Sequence, residues 1–229
     1  MRRTLVRFFY NKIFLGMKLY IISGLGADYK VLQKLDFGEN IEVVFLDWLM
    51  PNHKEDFQHY IHRMADRIDD SQPFFLLGYS FGGIVVQEIH KIKKAQKIVI
   101  LASIKCNQEK SRLMKIGEIT KIPKILPTQF YKEKFALSIY RFGKMLGAQN
   151  PKMLEYFTVR NPYYLKWSVE KIAEWKSVKN TEVIQILGDR DIIFPIRYCQ
   201  PDYVIKGGTH LFPAIQHKEV SRILKNIFK

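Results

Sequence analysis

The sequence predicts an α/β fold: a mostly parallel, twisted sheet with helices on both faces. Two observations predict it. The strand-like runs are uniformly apolar, as in "YIIS", "FFLL" and "IVIL", which is the pattern of strands buried on both faces. Helical segments separate most of these runs, as parallel strands require, because each crossover must return the chain to the starting edge.

The elements follow in order. "KLYIISG" (18–24) is a short apolar run ending in Gly and reads as a buried strand. "LGADYKVLQKL" reads as a turn and short helix with Asp28 at its N-cap. "IEVVFLDW" (41–48) is the second strand. "EDFQHYIHRMADRI" (55–68) sets Phe57, Tyr60, Ile61, Met64, Ala65 and Ile68 at helical spacing. "PFFLLG" (73–78) is the third strand, and "FGGIVVQEIHKI" (81–92) a helix with an apolar front half. "KIVILAS" (97–103), "TEVIQILG" (181–188) and "PDYVIKGG" (201–208) supply three more strands, and "AIQHKEVSRILKNIF" (214–228) closes as a helix.

Residues 104–180 break this rhythm. They carry four prolines, many lysines and eleven Tyr, Phe or Trp residues, with no convincing strand. The stretch is too long for a plain loop in a compact domain. The reading is a helical cap or lid insertion at 104–180 within a core of 17–103 and 181–229. Most of its aromatics are expected to form its own small core, with Tyr163, Tyr164 or Trp167 facing a cleft. Residues 1–16 read as an N-terminal extension or an edge strand, with "TLVRFF" the candidate.

Composition narrows the function classes. The chain has 229 residues, 47% of them hydrophobic and 26% charged, which suits one globular domain with an insertion. No apolar run reaches the roughly 20 residues needed to span a bilayer, so no stable membrane insertion is expected. Two distant cysteines, Cys106 and Cys199, read as reduced thiols of a cytoplasmic protein, a single bridge being the alternative. The net charge is +15, but the lysines are scattered without interleaved aromatics, so no nucleic-acid partner is expected.

The chemistry centres on "LGYSFGG". Gly78-Tyr79-Ser80-Phe81-Gly82 lies directly between a strand and a helix. A sharp strand-to-helix turn can lift a serine to the C-terminal edge of a sheet, beside helix amides that favour developing negative charge. Positions 78 and 82 must then be small, and both are Gly. A serine hydroxyl needs a general base, and the base an orienting carboxylate. Asp189 and Asp191 follow the fifth strand; His210 follows the sixth, after Gly207-Gly208. The other five histidines read as surface or helix residues, and no spacing suggests a metal site.

At these residues the chain resembles the α/β-hydrolase fold superfamily, over nearly its whole length from Met17. The resemblance rests on Gly78-Tyr79-Ser80-Phe81-Gly82, on "GDRDIIFP" (188–195) and on Gly207-Gly208-Thr209-His210. It implies Ser80 as nucleophile, His210 as base and Asp191, ahead of Asp189, as acid. It implies backbone oxyanion donors at Phe81 and at Leu25, with Gly26 the alternative to Leu25. Gly24, Gly26 and Tyr79 would contact substrate, and no cofactor or metal is implied. The expected activity is a serine hydrolase cleaving a small or medium acyl ester or thioester. The basic surplus allows an anionic small-molecule acyl substrate. The alternatives are a non-hydrolytic enzyme of the same fold, of lyase or peroxidase type, and a catalytically silent binding protein.

Overall fold

A computed structural model describes residues 16–132 and 153–229. Within them one sheet has six strands: β1 (Met17–Ile22), β2 (Ile41–Phe45), β3 (Phe74–Tyr79), β4 (Lys97–Leu101), β5 (Val183–Gly188) and β6 (Tyr203–Ile205). Their order is β2-β1-β3-β4-β5-β6, and every neighbouring pair is parallel. The candidate edge strand "TLVRFF" lies outside the described residues.

The alternation of side chains explains the unbroken apolar runs. Tyr20 and Ile22 of β1, with Leu76 of β3 and Ile98 and Ile100 of β4, point to one face. Helices α1 (Phe57–Ala65) and α2 (Phe81–Ile92) cover it. Leu19 and Ile21, with Phe75, Leu77, Val99 and Leu101, point to the other, under Val220, Ile223, Leu224 and Ile227. Each fully buried side chain of this kind contributes about 1.5–3 kcal/mol, so neither face can be left open.

The last helix differs from the expected single element. It breaks at Gln216 (φ −104°, ψ 34°) into α7 (Phe212–Ile215) and α8 (His217–Ile227). The Gln216 amide side chain donates to the Lys206 carbonyl at 2.9 Å, tying the break to the end of β6. Asp28 does act as a cap, accepting from the Lys30 amide, but of a three-residue 3-10 turn.

Between β4 and β5 the described residues form short helices: α3 (Arg112–Thr120), α4 (Ile122–Ile125), α5 (Met153–Tyr156) and α6 (Pro162–Glu174), with 3-10 turns before α3 and after α4. Asn161 caps α6 by accepting from the Tyr163 and Tyr164 amides, and Pro162 occupies its first turn, where no amide donor is needed. Trp167 of α6 packs on Tyr60, with ring centroids 4.5 Å apart. Its indole N–H donates to the Glu55 carbonyl at 2.7 Å.

Two glycine approaches hold the C-terminal edge of the sheet together. A Cβ on Gly82 would lie 2.2 Å from the Ile22 carbonyl oxygen, and one on Gly78 would lie 2.3 Å from that of Gly82. The turn from β3 into α2 therefore rests directly on the end of β1. Likewise a Cβ on Gly188 would lie 2.1 Å from the Gly208 carbonyl oxygen. The Arg190 amide donates to that same carbonyl at 2.9 Å, joining the segments after β5 and β6.

Two outcomes are expected. Gly188→Ala should lower unfolding free energy by about 1–3 kcal/mol in urea titrations, from overpacking against backbone. Gly117→Ala in α3, whose added Cβ would lie 3.8 Å from the Pro123 ring, should be neutral or stabilising. The second concerns Glu55. Burial pushes its carboxyl up, but the Asn52 amide, His59 and Arg63 outweigh this and hold it below its ordinary value. A depressed folded value means the contribution is present above the unfolded value and lost as pH falls through the folded one. Glu55→Gln should cost about 1–3 kcal/mol at neutral pH, and the deficit should shrink below roughly pH 4, read by denaturant titration across pH.

Candidate active site

The strand order creates one crevice at this edge. The chain leaves β1 toward β2 on one side, then returns to place β3 on the other. The loops after β1 and β3 consequently diverge, and ligands of open α/β sheets sit in such gaps. Ser80 follows β3 at this point, with φ 54° and ψ −118°, a left-handed backbone that a side chain rarely adopts. Its amide donates to the Leu101 carbonyl and its carbonyl accepts from the Gly83 amide, both at 2.9 Å. The strain of such a residue is of order 1–3 kcal/mol and persists only because the surroundings over-determine it.

His210 stands over the serine. Its Nε2 is 2.9 Å from Ser80 Oγ, and its Nδ1 is 2.8 Å from Asp191 Oδ2. Asp191 is 3% exposed, and its other oxygen accepts from the Ile193 amide at 2.8 Å and the Phe194 amide at 3.1 Å. Three donors thus converge on this buried carboxylate. A carboxylate can only accept, so Nδ1 carries the proton and the Nε2 lone pair faces Ser80. Asp189, the other candidate acid, is exposed, while Asp191 is the carboxylate that meets the imidazole. The chain can therefore pass a proton from Ser80 to His210 while Asp191 holds the ring.

The loop after β1 lies against the same point. Leu25 is half-buried, between the buried Gly24 and Gly26. The Gly26 amide is directed at the Tyr164 hydroxyl, 3.5 Å away. The Gly24 carbonyl accepts from the Trp48 indole at 3.0 Å. Trp48 stacks on the Phe81 ring at 5.1 Å, so one side chain braces both segments that carry the expected amide donors. The 156–159 stretch clamps the loop from outside: the Asp28 amide donates to the Tyr156 carbonyl at 3.1 Å and the Val159 amide to the Gly26 carbonyl at 2.9 Å.

Several expected roles change with these positions. Tyr79 is not placed as a substrate contact: it is 3% exposed, beneath the histidine, and its hydroxyl donates to the His210 carbonyl at 3.1 Å. Burial, with the nearby Asp191 charge, pushes that phenol well above its ordinary value and keeps it protonated. Tyr164 and Trp167 are buried packing residues, and the Tyr163 hydroxyl donates to the Asn52 carbonyl at 2.8 Å. Trp48 had no motif to mark it; Phe194, whose ring lies 5.6 Å from that of His210, falls within "GDRDIIFP" but was assigned no role. Both cysteines are free, and burial pushes the Cys199 thiol up, helped by Glu109, so it stays protonated.

No family model matches the chain, and no curated protein matches it. Solved structures do. An α/β hydrolase fold protein from Burkholderia ambifaria superposes with a TM-score of 0.68 at 13% identity, covering 92% of this chain and 90% of its own. A thermophilic esterase from Thermogutta terrifontis superposes with a TM-score of 0.60 at 14% identity, covering 93% and 89%. A protein named as a non-heme bromoperoxidase from Mycobacterium tuberculosis superposes with a TM-score of 0.66 at 14% identity, covering 93% and 92%. The all-parallel sheet, its strand order and these near full-length superpositions identify the chain as a protein of the α/β-hydrolase fold.

Proposed function

We propose that the chain is a serine hydrolase that cleaves a small or medium acyl ester or thioester through an acyl-serine intermediate. One observation carries this reading: the hydrogen-bonded series Ser80 Oγ, His210 Nε2, His210 Nδ1, Asp191 Oδ2 at the crevice. A turn serine without chemistry has no need of a left-handed backbone conformation, a base at 2.9 Å and a buried, triply bonded acid. The esterase among the similar structures supports ester hydrolysis as the class.

The steps follow from the geometry. Ser80 Oγ bonds to the acyl carbon as its proton moves to His210 Nε2. The carbonyl π electrons move to oxygen, and the amides of Phe81 and Leu25 receive the oxyanion. Leu25 is preferred to Gly26 here because the Gly26 amide already points at Tyr164. As the tetrahedral species collapses, the bond to the leaving alcohol or thiol breaks and His210 returns its proton to that group. Water then repeats the sequence on the acyl-serine, freeing the acid and restoring Ser80. Asp191 stays ionised throughout and stabilises the imidazolium.

The 104–180 region serves as the cap in this reading. The contacts of its 156–159 stretch with Gly26 and Asp28 support this reading, in which it sets the depth of the acyl site. Its lysines would draw an anionic substrate toward the crevice, an attraction that salt would weaken.

The test is covalent labelling with a fluorophosphonate beside turnover of short p-nitrophenyl esters. Wild type should label and turn over; Ser80→Ala and His210→Ala should lose both, with kcat lower by roughly a thousandfold or more. Absence of labelling and turnover in folded wild type would leave the silent binding protein as the better account. The acid is separable by substitution. Asp191→Asn should lower kcat by about 10³–10⁴ with little change in KM, through loss of the productive tautomer. Asp189→Asn should stay within a few-fold of wild type.

A further inference from the structure

Helix α3 contains no buried residue. Its apolar side chains stand in solvent: Leu113 is 73% exposed and Ile119 80%, with Ile116 between them. Helix α4 continues the row through Ile122 to Ile125, which is 74% exposed. These five aliphatics recur at every third position along two short helices joined at Lys121, and together they form an exposed apolar ridge. The inner side of the pair is occupied separately, by Met114 against the core and by Gly117 beside Pro123. Exposed aliphatics scattered singly are ordinary on a protein, but a contiguous row marks a docking surface.

Cations predominate around the ridge. Arg112, Lys115, Lys121, Lys124 and Lys132 are all exposed. The only acid between them, Glu118, is occupied by the fully buried Lys110 at 2.8 Å. Helix α3 ends at Lys121 in a left-handed conformation (φ 53°), and α4, which carries Lys124, starts directly after it.

A second copy of this chain suits the ridge poorly, because a two-fold contact would set these cations against themselves. Protein interfaces also concentrate their energy in Trp, Tyr and Arg anchors, whereas this row is Leu and Ile. An anionic bilayer surface meets both features. Aliphatic side chains enter the boundary between headgroups and acyl chains, and the lysine stems extend so that their ammonium groups reach lipid phosphates. We propose that α3 and α4 dock the protein on an anionic lipid surface. This is peripheral binding: no helix among the described residues is long and apolar enough to cross a membrane. It stands independently of the hydrolase reading.

The experiment is co-sedimentation of the full chain with vesicles of phosphatidylcholine alone and with phosphatidylglycerol added. Binding should require the anionic lipid and weaken with salt. Ile119→Asp with Ile125→Asp should lower partitioning by roughly tenfold or more while leaving the melting temperature unchanged. Lys121→Glu with Lys124→Glu should act in the same direction and serves if the first pair misfolds. Lys218→Glu with Arg222→Glu, exposed cations on α8, should have a much smaller effect. Failure to bind anionic vesicles would overturn the proposal. So would equal losses from the α8 pair, which would mean that net charge alone drives adsorption. A dimer dissolved by the isoleucine substitutions, without vesicle binding, would assign the ridge to a second copy and also overturn it.

Discussion

The geometry of the crevice depends on backbone meeting backbone where Gly82 rests on the end of β1. Any side chain there would collide with the Ile22 carbonyl, so the first turn of α2 can lie against the sheet only as glycine. At this turn Ser80, the residue that precedes α2, leaves ordinary strand and helix geometry. Its exposure to His210 is thus a product of close packing rather than of a flexible loop. The same kind of contact recurs between Gly188 and Gly208, and through it the segments carrying Asp191 and His210 are held as one unit.

Around that edge, two independent cores keep the sheet rigid. The α1–α2 face and the α8 face each bury alternate residues of the same strands, so a shift of register would expose apolar surface on both sides at once. The helical region between β4 and β5 is fastened to the first of these cores by Trp167 and Trp175. The Trp175 indole donates to the buried Glu88 carboxylate at 2.7 Å. Its outer helices behave oppositely: α3 and α4 turn their aliphatics away from the protein.

Most of the fold was legible in the sequence because burial on two faces leaves a simple trace. Six apolar runs became six strands, and α2 spans the residues read as a helix with an apolar front half. Strand ends were less legible, since apolar residues such as Trp48 leave the sheet to brace loops. The break at Gln216 was hidden because Pro213 sits at a helix start, where it is tolerated, and the helical pattern runs on across it.

The residue types of the candidate site and their order along the chain came from the sequence alone: a serine between glycines, two aspartates after one strand, a histidine after the next. The sequence also determined that a parallel sheet would bring these strand ends to one edge, since parallel strands end on the same side. Only the tertiary structure decided which aspartate meets His210, because Asp189 and Asp191 are two residues apart and the turn between them sends one outward and one in. It likewise decided that Tyr79 lies beneath the histidine and that Trp48 braces both neighbouring loops. Those are contacts between residues distant in the chain, and local pattern carries no record of which way such side chains face.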